Sequence, residues 1–373
     1  MKKKNLLLGT RKGLIIFERR KGKWEFCNIS HAGAAVSYAM IDARHGTLWC
    51  CLDHGHWGAK LQCSDDLGTT WKEVEAPKYP AGAILGATFP GMEPPEPATG
   101  PRPATLKYLW VAQPGGLDQP HRVYMGTEPG GLFYSENGDG QFTLVEPLWN
   151  HPTRMTSWFG GGRDNPGIHS ILIDPRDSRR LWVAVSCAGV FETTDGGQSW
   201  EPRNRGMTND YLPDPNVEVG HDPHLVSQCQ ANPDVMWQQN HCGIFRTVDG
   251  ARNWTKVSEK DGPAHFGFAI AADPEDENTA WVVPAQSDQV RAAYNQAVCV
   301  CRTEDGGQTW KTLRTGLPQD QCYDITLRHA LDYHDGTLVF GTTTGNVYYS
   351  RDRGDHWRCL GNNFPPIYSV RLG

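Results

Sequence analysis

Six stretches of the chain spell one octet: SDDLGTTW at residues 64–71, SENGDGQF at 135–142, TTDGGQSW at 193–200, TVDGARNW at 247–254, TEDGGQTW at 303–310 and SRDRGDHW at 350–357. The shared pattern is Ser/Thr-x-Asp-x-Gly-x-Ser/Thr-Trp, clean in four copies and weaker at 135 and 247. Four copies directly follow a short apolar run with a glycine near its start: GLFYS, GVFET, GIFRT and GNVYYS. An Asp side chain accepts hydrogen bonds from backbone two residues on, and Gly supplies the positive φ of a tight hairpin. The octet therefore reads as a self-contained turn whose closing aromatic drops between neighbouring sheets. Those aromatics, Trp71, Phe142, Trp200, Trp254, Trp310 and Trp357, are 71, 58, 54, 56 and 47 residues apart. Each gap fits four short strands with their loops, and helical periodicity is almost absent.

The octet resembles the Asp-box, or BNR repeat, of bacterial sialidases, xyloglucan-cleaving glycosidases, sortilin-type receptors and photosystem assembly factors. From GTRKG near the start to PPIYSVRL near the end, the chain resembles a bacterial family labelled BNR-repeat, exo-alpha-sialidase-like or glycosyl-hydrolase-like. The resemblance implies an all-β fold, a single β-propeller over residues 1–373. It implies little about activity, because one fold hosts many chemistries.

Seven blades are expected, with inner strands at residues 36–41, 107–112, 168–173, 225–230, 266–271, 323–328 and 368–372. The N-terminus offers only outer strands, so the C-terminal strand is expected to complete the first blade and remove a sheet edge. Six blades is the alternative if the degenerate third blade is an insertion. The Pro-rich stretch at 92–103 (MEPPEPATGPRP) reads as a surface loop.

Composition narrows the function. The 373 residues carry 42 acidic and 36 basic side chains, intermixed, for a net charge of −6. With no basic block to neutralise phosphates, nucleic acid is not an expected partner. No apolar run approaches the ~18 residues of a membrane span. The run Leu6-Leu7-Leu8 after three lysines stops at Gly9, short of a secretory h-region of ~7–15 residues. Eleven cysteines with no CxxC pair argue against a disulfide framework or zinc ribbon. A cytoplasmic protein is the expectation.

In a propeller the octet turns lie on one face. Turns between second and third strands, and the starts of inner strands, lie on the other. That second face gathers Arg11, His56, Glu128, Cys187, His241, Cys242, Asp288, Arg291, His169, His224, His265, Tyr323 and Asp324. Long loops from His151 and Asn209 precede two of the inner strands, and loops of that length are usually functional.

The main reading is a small-molecule enzyme with a His-rich central pocket. His169, His224, His241 and His56 are its candidate ligands for one divalent transition metal: zinc, iron or copper. Each histidine also fits a satisfied structural role, and the bland alternative is a polar channel mouth. A second reading is a carboxylate-based glycoside hydrolase acting on a small polar or carbohydrate-like ligand. Its acids would come from Asp53, Glu128, Asp164, Asp288 or Asp324. A sialidase version needs three arginines, drawn from Arg11, Arg163, Arg291 and Arg328, and a nucleophile such as Tyr323 beside Asp324 or Glu128. The Arg-Ile-Pro motif of that family is absent, and Thr10-Arg11-Lys12-Gly13 stands instead. Trp158 and Phe159, ahead of three glycines, read either as a ring-stacking platform or as a core corner. A third reading is a non-catalytic scaffold that binds a protein partner.

Overall fold

A computed structural model describes residues 4–86 and 102–373. These form seven antiparallel four-stranded sheets arranged as a seven-bladed β-propeller. In the first blade Ile367–Leu372 is innermost, followed outward by Asn5–Thr10, Gly13–Arg20 and Lys23–Ser30. The expected closure is therefore present, and Leu6–Leu8 pairs with Val370–Leu372. The other inner strands are Ala35–Ile41, Tyr108–Pro114, Ile168–Asp174, Pro223–Gln228, Gly267–Ala272 and Leu331–His334. The seven inner strands neighbour one another in a closed ring. Most of the Pro-rich stretch at 92–103 lies outside the described residues. No helix among the described residues is long and apolar enough to cross a membrane.

One expected inner strand is displaced. Residues 323–328 are not a strand. A turn closed by Ala330 N–H on the Leu327 carbonyl (2.9 Å) interrupts the chain, and the inner strand begins at Leu331. Alternating apolar residues at Ile325 and Leu327 gave the strand pattern, but the Leu327 carbonyl is spent on the turn and the Ile325 carbonyl accepts the Thr343 N–H.

All six octets sit between the third and fourth strands of blades two to seven. In the copy at 64–71, Ser64 Oγ donates to Asp66 Oδ1 (2.8 Å) and accepts Gly68 N–H (2.8 Å). Asp66 also accepts Thr70 N–H (2.8 Å) and the Thr70 hydroxyl (2.7 Å). The copies at 193, 303 and 350 repeat this network. Their closing indoles enter the packing between blades. Trp200, Trp254 and Trp357 are buried, while Trp71 and Trp310 pack against core clusters.

These turns carry a pH dependence. The Thr70 N–H and hydroxyl hold the Asp66 carboxyl down at about 2. The Ser199 hydroxyl does the same for Asp195, and the Thr309 hydroxyl for Asp305, each to about 2. A carboxylate depressed in the folded state contributes stability above its ordinary range of about 4, and that stability disappears as pH falls through about 2. The urea midpoint should therefore fall in two stages. The first comes below about pH 6.5, as imidazoles such as those of His329 and His265, which burial depresses to about 3 and 4, protonate in the unfolded chain. The second comes between about pH 4 and 2, as these carboxylates protonate. Asp66→Asn, Asp195→Asn and Asp305→Asn combined should lower the neutral midpoint and flatten the second stage. An unaltered acid limb in the triple variant would assign the dependence to other carboxylates.

A second local feature matters for the site. In six blades the inner strand shifts register near its start, skipping Tyr368, Ser37, Trp110, His169, His224 and Phe268. Such bulges re-aim a side chain that regular alternation would send into the sheet.

Candidate functional site

The face opposite the octets holds a cavity of about 750 Å³. It is built from blades three to seven. No residue of blades one and two lines it among the described residues, so the mouth is off-centre. Three of the bulged residues, Trp110, His224 and Phe268, point into its wall, joined by Phe159, Tyr211 and Phe266. This aromatic lining surrounds the polar groups.

Those polar groups centre on Asp222. Its Oδ1 accepts the Cys187 N–H (3.2 Å), and its Oδ2 lies 3.3 Å from His224 Nε2 and 3.7 Å from His241 Nδ1. On the far side of the His241 ring, Nε2 is 3.9 Å from Asp288 Oδ2. His224 is fixed from behind. Its Nδ1 donates to the Gly267 carbonyl (2.6 Å), and its ring stacks on Phe268 at 4.7 Å. Burial works to raise the Asp222 carboxyl, but His224, Arg328 and His241 outweigh it and hold the group ionised, well below the usual range. Burial depresses His224 and so favours its neutral ring, with Asp222 opposing.

Across the cavity stand three guanidinium groups. Arg328 lies 5.4 Å above the Trp110 ring and 5.7 Å from Phe268, and its Nε has no hydrogen-bond partner. Burial lowers its pKa, with the Asp222 charge opposing, and the arginine stays charged. Arg291 lies 5.6 Å from the Phe268 ring and donates to the Asp288 carbonyl (3.1 Å). Arg163 covers Tyr108 at 4.4 Å and pairs with buried Glu128, which also accepts from Asn165 (3.3 Å).

The sequence-based candidates divide accordingly. His224, His241, Arg163, Arg291, Arg328, Phe159, Cys187 and Asp288 all line the cavity. His169 does not. Its bulge leaves it wholly buried behind Trp110, with Nδ1 on Ser170 Oγ (3.0 Å), outside the Asp222–His224–His241 group but near enough for Asp222 and His224 to act on its pKa. Arg11 and His56 sit on turns of blades one and two, outside the lining. Tyr323 is 63% exposed, and Asp324 turns away to accept from Thr344 and Asn346 (2.7 Å). The displaced strand start is the cause. Glu128 is sequestered under Arg163 and lines nothing. Trp158 is the core half of its corner, packed 4.8 Å from Phe191, whereas Phe159 and the three glycines face the cavity. Gly160 is required there, because a Cβ would stand 2.3 Å from the Asp164 carbonyl oxygen. Burial raises the Cys187 thiol, as it raises Cys242 to about 12, so neither is a thiolate at neutral pH.

Asp222, Trp110, Tyr211, Phe266 and Phe268 were not singled out by sequence. Asp222 had a signal, since it lies two residues before His224 at the start of an inner strand. The aromatics had none, because a bulge cannot be read from alternation.

No family model matches the chain. It is 21% identical over 321 residues to a xyloglucanase from a Paenibacillus species, covering 74% of this chain and 28% of that protein. The chain thus spans less than a third of the length of that relative. Among solved structures, an ancestral GH74 enzyme superposes with a TM-score of 0.57 at 15% identity, covering 91% of this chain and 38% of that one. The periplasmic gluconolactonase of Pseudomonas aeruginosa superposes with a TM-score of 0.54 at 9% identity, each chain covered to 99%. Both structural likenesses are of fold.

Proposed function

We propose that the protein is a hydrolase of the glycoside-hydrolase type, acting in this cavity on a small sugar-like molecule that bears an anionic group. The observation that carries the reading is one imidazole, His241, flanked by two carboxylates and faced by three guanidinium groups inside an aromatic wall. Glycoside hydrolysis needs a carboxylate to stabilise positive charge or activate water and a second group to protonate the leaving oxygen. Asp222, buried and held ionised, suits the first task. Asp288, at the open rim, suits proton exchange with solvent, and His241 links the two. Arg328 and Arg291 supply bidentate donors for a carboxylate, sulfate or phosphate substituent. Trp110 and Phe268 offer ring faces, and the cavity volume is that of a small-ligand site.

Similarity to a xyloglucanase over most of the chain supports the hydrolase class, and the hydrogen-bonded turns of the octets support reading them as Asp-boxes of the BNR type. The eleven unpaired cysteines support a cytoplasmic setting.

The reading is tested with paired chromogenic substrates, neutral hexosides against hexuronides, sialosides and sulfated sugars. Turnover is expected for an anionic class. Arg328→Leu should raise KM on it by ~10–100-fold, the size of a lost charged hydrogen bond, with a smaller effect on kcat. Cleavage of neutral glycosides alone, unaffected by Arg328→Leu, would remove the anionic-substrate reading. No cleavage of any glycoside would remove the hydrolase.

A further inference from the structure

We infer that Asp222, His224 and His241 form a binding site for one divalent transition-metal ion, open to the cavity. This goes beyond the hydrolase reading and does not require it.

The argument starts from the His224 tautomer. A carbonyl oxygen only accepts, so the 2.6 Å contact with Gly267 places the proton on Nδ1. His224 Nε2 is then aimed at Asp222 Oδ2, 3.3 Å away in a buried site. His241 Nδ1 reaches the same carboxylate oxygen at 3.7 Å, so a second ring nitrogen converges on that point. The donor atoms of all three residues lie within 4.8 Å of one another.

Tetrahedral zinc bound at ~2.0–2.1 Å spaces its donors about 3.4 Å apart. The 3.3 and 3.7 Å separations are therefore close to a bound geometry before any ion enters. The outer contacts are also those of a metal centre, where a ligating histidine donates its other N–H to a carbonyl or carboxylate. His224 uses the Gly267 carbonyl, His241 faces Asp288, and Asp222 is steadied by the Cys187 N–H. Two imidazoles and one carboxylate make a donor set that suits zinc or ferrous iron and leaves coordination positions open.

The test uses untagged full-length protein, stripped with chelator and titrated with zinc and, separately, with cobalt(II). The expected result is one ion per chain and a visible cobalt absorption band. His241→Ala and Asp222→Asn should each weaken zinc binding at least ~100-fold, while Asp288→Asn should weaken it ~10–100-fold as an outer partner. His241 is part-exposed, so its variant is expected to fold, and tryptophan fluorescence checks each protein. Absence of zinc and cobalt binding in the native chain would overturn the site and leave a proton shared between His224 and Asp222. Binding unchanged in His241→Ala and Asp222→Asn would also overturn it, by placing the ion elsewhere. Glycoside cleavage by the stripped protein would leave the hydrolase reading standing if the metal site fails.

Discussion

Removing residues 366–373 is expected to abolish the cooperative fold. The segment supplies the innermost strand of the first blade, and Ile367 and Val370 are fully buried. They pack with Leu6, Leu8, Ile15, Phe17, Ala330, Val339 and Val347, residues drawn from the first and last blades. Each buried aliphatic side chain contributes roughly 1.5–3 kcal/mol. Deletion also leaves Leu6–Thr10 as an unpaired edge and opens the ring of inner strands. Against a total stability of order 5–15 kcal/mol, that loss removes a large share at a joint every blade depends on. Urea unfolding followed by tryptophan fluorescence should lose its single sharp transition, and the truncated chain should associate through its free edge. A synthetic peptide of residues 364–373 should restore the transition in trans. An unchanged midpoint after truncation would mean the blades hold the ring closed without that joint.

The second large effect is expected at Asp222. Asp222→Asn keeps the size of the side chain and an oxygen for the Cys187 N–H. It removes the charge that faces His224, His241 and Arg328. Turnover on the anionic substrate should fall by ~10²–10⁴-fold, the scale of a lost acid–base or charge-stabilising group. The effect should lie mainly in kcat, because the arginines that grip the substrate remain. Asp288→Asn, which touches His241 from the exposed rim, should cost less. Equal losses would mean that the two carboxylates act as one unit. Full activity in Asp222→Asn would locate the chemistry outside this cluster.

Which face carries the cavity was legible before any coordinates. Arg11, His56, Cys187, His241, Cys242, Asp288 and Arg291 stand between second and third strands as expected, whereas Glu128 is the last residue of its strand. Which members of that face converge was not legible. His56 and Arg11 stand on equivalent turns to His241, yet belong to the two blades that, among the described residues, contribute nothing to the lining. His169 and His224 occupy equivalent bulges in consecutive blades, yet one is buried behind Trp110 and the other meets Asp222. The local difference is Asp222, two residues before His224 and without a counterpart before His169, and its meaning shows only once the bulge has turned His224 toward it.

The octets and the closing strand are written in the chain itself. The Ser/Thr–Asp–Gly turn of an octet closes its hydrogen bonds within eight residues, as at 64–71, and the unmatched outer strands at the N-terminus require a partner from the C-terminus. Local bonding and strand counting therefore determined the seven-bladed ring and its two faces. The Asp222–His224–His241 cluster and the arginines opposite it were decided only by the tertiary structure. The cluster, all in one blade, is aimed by a register shift of a single residue, and the arginines are brought to it by the angular position of other blades, which depends on packing between segments remote in sequence.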